Sequence, residues 1–363
     1  MNILYLSNLS GNLFAGPNNS VPAQVRAQAK LDNVFWYNLN NTKREEWTRD
    51  GLDCKCLTDY PTGRLADLPA PFDHPDIVVL EELYCFPFSR IVGDVQRLGI
   101  PYVIIPRSAM TAQGQRKSRL KKIVGNVLYF NRLVKKAAAI QYLTERERLD
   151  SEPVWKKNCF VIPNGINPQP VTRAEFSKNG IRATYIGRYE IYQKGLDILL
   201  DALGAIQDDL RKAGFKLSMY GQDQESTLAK LSEQASRLGI EDIVSFGGAV
   251  FGEEKKQVLL ETDVFVLTSR FEGHPMGLIE ALSYGLPCVA TDGTNIAGEI
   301  SSYSAGWTAT ADAESIKNAF LKMLADRDKL PAFGKNAVAL SDTYAWDEIA
   351  QKSHTEFVKL IGE

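Results

Sequence analysis

The sequence predicts an α/β protein with two domains, each built around an open parallel sheet. Short runs rich in Val, Ile and Phe alternate with segments of helical apolar spacing, the pattern of parallel strands that helices cover on both faces. The 363 residues, 44% of them hydrophobic, suffice for two cores. Residues 1–164 hold about 22 of the 42 Lys and Arg but only about 16 of the 44 Asp and Glu. We therefore expect the two halves to meet different partners.

In the first half, the apolar runs predict five buried strands. A loop that contains Gly16 separates the first strand from a helical pattern, and a second amphipathic helix ends at a glycine. The predicted strands cover residues 2–9, 75–80, 101–106, 139–144 and 159–163, and the predicted helices cover 20–31 and a segment ending near 98–99.

The second half begins at a turn signal, Pro163-Asn164-Gly165, where the charge balance also changes. We therefore place one domain at residues 1–163 and a second at 164–345. The second domain repeats the alternation of strands and helices. Its predicted strands cover residues 182–186, 216–220, 243–247, 263–269 and 288–291, and a last helical pattern covers 344–361.

One stretch of the second domain, residues 268–287, carries most of the functional information. A buried strand leads into a loop and then into a helix predicted over 275–284, with Pro275 in its first turn and Gly285 at its far end. A helix N-terminus at the carboxyl edge of a parallel sheet favours phosphate or another anion. Seven residues separate Glu272, in the loop, from Glu280, inside the helix. That separation does not suit a glycosidase acid/base pair and favours contacts with two parts of one extended ligand.

This stretch resembles the Glu-x7-Glu signature of the retaining GT-B glycosyltransferases of the group 1 (GT4-like) family, in which two Rossmann-like domains face each other across a cleft. The resemblance implies that Glu272 contacts the donor sugar and Glu280 the ribose hydroxyls of the nucleotide. It also implies that backbone amides around Met276 and Gly277 meet the diphosphate. His274 and Leu278 complete the donor-binding residues that it implies in this stretch. Two departures stand out, because His274 replaces a common Phe and Pro275 replaces a common glycine.

A second stretch, residues 186–200, matches the family's Gly-Arg…Lys-Gly pattern through Gly187, Arg188 and Lys194. Breaking a sugar–diphosphate bond leaves negative charge on the departing phosphate, which two cations and a helix dipole can stabilise. The resemblance therefore implies catalytic roles for Arg188, Lys194 and Glu272. The alternative is that both cations are solvated loop residues.

Three further glycines match weaker family positions. The resemblance places Gly16 beside the donor and acceptor, and Gly221 and Gly247 near the base and phosphates. Without the resemblance, Gly16 reads equally well as part of an ordinary strand-to-helix turn. The resemblance also returns the last helix, residues 346–363, to the first domain, with Trp346 as its anchor.

The resemblance implies an enzyme that transfers a sugar from a nucleotide-diphosphate donor, UDP- or GDP-linked, to an acceptor held by the first domain. The anomeric configuration would be retained through front-face attack in the cleft. It implies no metal and no other cofactor, and the lone Asp-x-Asp at 326–328 predicts a solvated helix face. The stretch from Pro106 to Glu145 further resembles enzymes of bacterial surface-polysaccharide synthesis. Two alternatives stay open: a nucleotide-sugar epimerase or phosphorylase of the same fold, and a catalytically silent sugar-nucleotide-binding protein.

A basic segment, residues 107–136, predicts contact with an anionic membrane. No Asp or Glu occurs between Val95 and Thr144, and apolar residues alternate there with cations at near-helical spacing. A polyprenyl-diphosphate-linked or growing glycan is then the expected acceptor, and nucleic acid is not an expected partner. The alternative is a solvated helix whose apolar side packs on the sheet.

Residues 1–9 lack the features of a secretion signal, and no run reaches the length of a membrane span. The five cysteines form no Cys-x-x-Cys pair, which favours reduced thiols. We therefore expect a cytoplasmic protein that binds peripherally at the inner face of the cell membrane.

Overall fold

The computed structural model describes residues 1–12, 16–48, 51–116, 118–173, 175–223 and 226–362. These divide into two compact units. Unit 1 comprises residues 1–165 together with 346–363, and unit 2 comprises residues 166–345. No helix within the described ranges is both long and apolar enough to cross a membrane.

Unit 1 contains a seven-stranded parallel sheet in the order β3-β2-β1-β4-β5-β6-β7. Alternate residues of its first strand enter two cores, with Leu4 and Leu6 on one face and Ile3 and Tyr5 on the other. Its strands are β1 (Asn2–Ser7), β2 (Asn33–Asn38), β3 (Cys54–Cys56), β4 (Ile77–Leu80), β5 (Tyr102–Ile104), β6 (Ala139–Tyr142) and β7 (Cys159–Val161).

Helices connect these strands, and the basic segment is broken into several of them. The helices are α1 (Pro17–Gln28), α2 (Ser89–Leu98), α3 (Ala112–Arg116), α4 (Arg119–Gly125), α5 (Asn131–Lys136) and α6 (Glu145–Ser151), with one π-helical turn at Asn126–Phe130. Short 3₁₀ turns lie at Glu45–Trp47, Leu65–Asp67 and Phe86–Phe88. Gly99 ends α2 with φ 71°, the left-handed conformation that glycine adopts without steric cost.

Unit 2 contains a six-stranded parallel sheet in the order β10-β9-β8-β11-β12-β13, with one large core over its strands and helices. Its elements begin with β8 (Ile181–Ile186), α7 (Ile191–Lys194), α8 (Leu196–Ala205), α9 (Gln207–Lys212), β9 (Phe215–Tyr220), α10 (Thr227–Leu238) and β10 (Val244–Gly247). They continue with α11 (Gly252–Glu261), β11 (Val264–Leu267), α12 (Met276–Ser283), β12 (Cys288–Thr291), α13 (Ala297–Tyr303), β13 (Gly306–Ala309), α14 (Ala313–Ala325) and α15 (Leu330–Asp342).

The last helix, α16 (Trp346–Gly362), belongs to unit 1 and packs against α1. Trp346 is buried at its start, and its ring lies against Gly165. A Cβ at residue 165 would stand 2.4 Å from that ring, so only glycine fits there.

The α/β class and the two parallel sheets are confirmed, and the predicted strands are all present, most of them with shorter bounds. The prediction missed β2, β3 and β13. Asp326 and Asp328, predicted on a solvated helix face, are partly exposed and exposed, respectively. Asp326 is the C-terminal cap of α14, and its carboxylate accepts a hydrogen bond from Trp307 Nε1 at 3.1 Å.

Candidate functional site

The order of the strands in unit 2 reverses between β8 and β11, which makes the carboxyl ends of these two strands a topological switch point. Ligands of open α/β sheets bind outside the strands at such a point, because the two following connections diverge there. The loop after β8 carries Arg188, and the loop after β11 carries Glu272. The topology therefore brings both predicted motifs to one edge of one sheet.

An ion pair joins the two loops. Lys194 Nζ lies 2.5 Å from Glu272 Oε1, and the two side chains are 14% and 9% exposed. The Ser269 hydroxyl donates to the same carboxylate oxygen at 2.6 Å. Since a partly buried carboxylate is stabilised by such charge-assisted hydrogen bonds, Glu272 is held in one position at the sheet edge.

The backbone of the Glu272 loop is fixed from three sides. The guanidinium of Arg270 donates to both carboxylate oxygens of Asp197, at 2.7 and 2.8 Å. The Thr291 hydroxyl donates to Ser269 O at 2.6 Å, and the Asn295 side chain donates to Glu272 O at 2.6 Å. Bidentate pairing of this kind fixes direction as well as distance, so the loop is a rigid support for the carboxylate.

A hydrogen bond from the buried Tyr185 fixes the backbone of the Arg188 loop. Its hydroxyl donates to Arg188 O at 2.7 Å. Burial raises the pKa of Tyr185 well above its usual range, and the negative charge of Glu272 adds to this effect. The phenol therefore stays protonated and keeps donating. The Arg188 side chain itself donates to Gln193 Oε1 at 3.2 Å, which joins it to α7.

Close contacts leave little room for a side chain at two glycines of this edge. A Cβ at Gly221 would lie 2.0 Å from Gly187 O, and a Cβ at Gly187 would lie 2.6 Å from the Tyr185 hydroxyl. Gly247 also lies close to its neighbours, since a Cβ there would be 3.0 Å from the Tyr220 ring. Packing within the sheet edge explains all three of these glycines, whether or not a ligand also approaches them.

Helix α12 starts one residue later than predicted, with Pro275 as the residue that precedes it. The Met276 N–H donates to His274 O at 3.0 Å, and the Leu278 N–H donates to Pro275 O at 2.9 Å. The Leu278 side chain is fully buried in the core. The Leu278 side chain therefore does not face a ligand here, and the Gly277 amide lies at the helix start.

The remaining predicted residues have neighbours other than Lys194 and Glu272. Lys255, on α11, forms an ion pair with Glu280 Oε2. The His274 ring packs edge-on against Tyr344, with 5.7 Å between ring centroids. Gly16 lies in unit 1, where its carbonyl accepts hydrogen bonds from the first turn of α1 and a Cβ would meet nothing within 4 Å. Within the described ranges, no group of three or more His, Cys, Asp or Glu side chains is arranged to hold a metal ion.

The sequence around this site matches a known family. Residues 172–339 match the model of the family described as Glycosyl transferases group 1, which is nearly the whole of unit 2. The chain carries a group 1 glycosyltransferase domain. The family inferred from the Glu272 and Arg188 motifs is thus confirmed.

Two curated relatives of the group 1 domain are bacterial. The chain is 33% identical over 150 residues to mannosylfructose-phosphate synthase of Agrobacterium fabrum. This alignment covers 38% of this chain and 33% of that protein. It is 37% identical over 111 residues to lipopolysaccharide 1,6-galactosyltransferase of Escherichia coli. This alignment covers 30% of this chain and 29% of that protein. These alignments span about a third of each relative's length.

Over its whole length the chain resembles solved structures in fold. Anabaena HepE, solved in complex with UDP and glucose, superposes with a TM-score of 0.72 at 16% identity and covers 99% of this chain and 100% of that chain. The predicted GT-B fold is thereby confirmed.

Several residues of the edge escaped the sequence analysis. Asn295 has a left-handed φ of 67°. Asn is enriched in this conformation, and that preference is the only local feature of the sequence that points to Asn295. Lys255 belongs to a helix whose charges look solvated, and nothing in its spacing indicates a partner 25 residues later. Ser269, Arg270 and Asp197 likewise become recognisable only once β8 and β11 are adjacent.

Proposed function

We propose that this protein transfers a sugar from a nucleotide-diphosphate donor to a hydroxyl group of a glycan acceptor, with retention of anomeric configuration. The observation that carries the proposal is the Lys194–Glu272 ion pair, held at the switch point of the group 1 domain. A cation for the leaving phosphate and a carboxylate for the donor sugar are thereby adjacent.

The chemistry assigned to each side chain follows from its charge and support. Lys194 and Arg188 stabilise the negative charge that develops on the departing diphosphate, and the N-terminus of α12 adds its dipole. Glu272 accepts hydrogen bonds from hydroxyls of the donor sugar. Glu280, which Lys255 holds, accepts hydrogen bonds from the ribose. These roles require no metal ion, because fixed protein charges act on the phosphate directly.

The names of similar proteins support the proposed classes of donor and acceptor. The fold is shared with a protein solved with UDP and glucose, which supports a UDP-linked donor, and a GDP-linked donor is the other candidate. A relative named for lipopolysaccharide synthesis supports a glycan acceptor of the bacterial cell surface. A polyprenyl-diphosphate-linked glycan fits this class.

The acceptor proposal is supported by an exposed apolar surface on unit 1. Leu120, Val127 and Leu128 are 80%, 73% and 77% exposed, and Ile123 and Val124 are also exposed. These residues, which we call the apolar stripe, lie on α4 and the π-helical turn. The alternative of an apolar side packed on the sheet does not hold for them, whereas Phe130 is buried. Exposed apolar residues grouped in this way mark interaction surfaces.

Cations border the apolar stripe. Arg116, Arg119 and Lys121 are exposed beside it, and Arg132 and Lys135 lie on α5. Lys122 differs, because its Nζ donates to Gly114 O and stands 4.7 Å from the centre of the Tyr84 ring. Lys117, which belongs to the predicted basic surface, lies outside the described residues. We propose that the stripe and its cations bind an anionic membrane that carries the acceptor, at about 1 kcal/mol for each cation near the surface.

Release of nucleotide from UDP-glucose, UDP-galactose and GDP-mannose tests the proposed function. Lys194→Ala should lower turnover on the order of 100- to 1,000-fold, the usual effect of losing one contact to developing charge. The control is Lys230→Ala, which removes an exposed lysine of the same unit and should change nothing. Wild-type activity should persist in excess EDTA.

Three results would contradict this assignment. Near-normal turnover by the Lys194→Ala variant would show that Lys194 does not stabilise the leaving phosphate. Activity abolished by EDTA and restored by Mg²⁺ or Mn²⁺ would show that a metal ion does the work assigned to the cations. Nucleotide binding without release from any donor would favour the catalytically silent binding protein.

A further inference from the structure

Unit 1 has a topological switch point of its own. In the order β3-β2-β1-β4-β5-β6-β7, the chain leaves β1 in one direction and resumes with β4 on the other side. The loops that follow β1 and β4 therefore border a crevice at the carboxyl edge, where ligands of open α/β sheets bind. The loop after β4 begins with Glu81 and Glu82.

Glu82, in the loop after β4, is a polar side chain with unused hydrogen-bonding capacity. It is half-buried, and no hydrogen bond or ion pair joins its carboxylate to any other described residue. Burial raises the pKa of Glu82, although the nearby Arg107 charge acts in the opposite direction. A carboxylate that is partly removed from water gains free energy from any hydroxyl that donates to it.

The adjacent Glu81 is fully buried and supports the same crevice. Its Oε2 accepts a hydrogen bond from Arg107 at 2.6 Å, whereas its Oε1 is buried with no hydrogen-bond partner among the residues described. Such an atom in a native protein is usually satisfied by an ordered water or a ligand. The floor of the crevice is therefore polar.

Arg107 is itself fixed in a strained loop. Its guanidinium also donates to Ser20 Oγ, Gln24 Oε1 and Asn164 Oδ1, at 3.1, 3.1 and 3.2 Å. Arg107 and Ser108 both have positive φ, 48° and 67°, a conformation that costs non-glycine residues free energy. Strain of this kind persists where the surrounding structure enforces it, and it is concentrated at ligand sites.

We propose that Glu82 forms the acceptor subsite of unit 1, where its carboxylate accepts a hydrogen bond from a hydroxyl group of the acceptor sugar. The two adjacent carboxylates outnumber the single guanidinium, so this edge favours an uncharged polyol over a phosphate. The sugar ring of a lipid-linked acceptor, rather than its diphosphate, therefore contacts Glu82. The inference rests on the proposed function and adds the residue that selects the acceptor.

The test compares Glu82→Gln with the wild type in two reactions of the full chain. One is nucleotide release from the donor in water alone, and the other is transfer to octyl glucoside, octyl galactoside and octyl mannoside as acceptor probes. Glu82→Gln should lower kcat/KM for transfer about 10- to 100-fold, the loss expected for one charge-assisted hydrogen bond, while donor hydrolysis stays within about twofold. The control is Glu45→Gln, an exposed residue of the same unit, which should match the wild type in both reactions.

The outcomes separate this inference from the proposed function. Wild-type transfer by Glu82→Gln, or an equal loss of hydrolysis and transfer, overturns the role of Glu82. A wild type that hydrolyses donor but transfers to none of the three glycosides overturns the sugar-hydroxyl subsite, whereas a wild type that does neither overturns the proposed function. If thermal unfolding shows that Glu82→Gln does not fold, the Glu82→Asp variant tests the role of Glu82 instead. It keeps the charge, and its transfer rate should lie below that of the wild type, while donor hydrolysis stays unchanged.

Discussion

At the scale of single residues, two carboxylates differ in the donors that surround them. Glu272 shares one oxygen between Lys194 and Ser269, whereas Glu82 has no such partner among the described residues. The first arrangement positions a carboxylate before any ligand contributes. The second leaves hydrogen-bonding capacity for a ligand.

Asp263, like Glu272, is a carboxylate that several donors hold, but it lies outside the proposed site and contributes to stability alone. Its Oδ1 accepts hydrogen bonds from Arg173 at 2.8 Å and from the Ser177 N–H at 2.9 Å, and its Oδ2 accepts one from the Arg182 N–H at 2.9 Å. Burial by itself would raise the pKa of Asp263, but these hydrogen bonds outweigh burial and lower the pKa. The ionised carboxylate therefore stabilises the start of β11.

We expect Asp263→Ala to lower the free energy of unfolding by about 3–5 kcal/mol at neutral pH, because it leaves Arg173 partly buried without its partner. A carboxyl with a lowered native pKa stabilises the fold above its unfolded pKa of about 3.9 and loses that contribution as the pH falls through the native value. The difference between variant and wild type should therefore shrink below about pH 4.

Urea unfolding followed by circular dichroism at several pH values measures this difference. Asp328→Ala, an exposed aspartate of the same unit, is the control and should be close to wild type at every pH. A difference that stays constant down to the acid limit would show that Asp263 acts through packing rather than through its charge.

At the scale of elements, the sequence predicted the parts of the site that follow buried strands. The strand–loop–helix pattern around Glu272 and the strand before Arg188 have strong apolar signals, and both motifs lie where those strands end. The strands that were missed are shorter or less apolar. β3 has three residues, and β2 reads Asn-Val-Phe-Trp-Tyr-Asn, with polar ends. Contacts between distant segments, such as Lys255 with Glu280, depend on strand order, which no local pattern records.

The apolar stripe gives a prediction for an element, because it depends on a whole helix face. Wild-type protein should bind vesicles that contain phosphatidylglycerol at low salt and should bind pure phosphatidylcholine vesicles weakly. Changing Leu120, Val127 and Leu128 together to Ser should abolish binding, since the inserted apolar area is lost. Changing Arg119 and Lys121 to Glu should weaken it by at least about tenfold, given about 1 kcal/mol for each cation near the surface.

Vesicle flotation at low and high salt measures these effects. The matched control changes Leu149 and Val154 to Ser, because both are exposed apolar residues of the same unit outside the stripe. If the stripe variant binds as the wild type does, or if the wild type fails to bind at low salt, the membrane proposal should be dropped and a water-soluble acceptor sought.

At the scale of the whole molecule, two parallel sheets each carry one switch point. In unit 2 that point holds the cations and carboxylates of the proposed donor site, and in unit 1 it holds Glu82 and its polar neighbours. The alternation of apolar runs sufficed to predict two such sheets. It could not predict that a half-buried carboxylate would lie at the edge of the first one, because Glu81 and Glu82 read as an ordinary polar end of a strand.

The anomeric configuration of the product tests the central claim most directly. Donors with an α-linked sugar, UDP-glucose, UDP-galactose and GDP-mannose, are incubated with the octyl glycosides, and the new linkage is followed by proton NMR from the first minutes. Retaining transfer predicts an α-linked disaccharide as the initial product. A β-linked product would contradict the proposed mechanism, since it would require attack from the opposite face of the donor sugar.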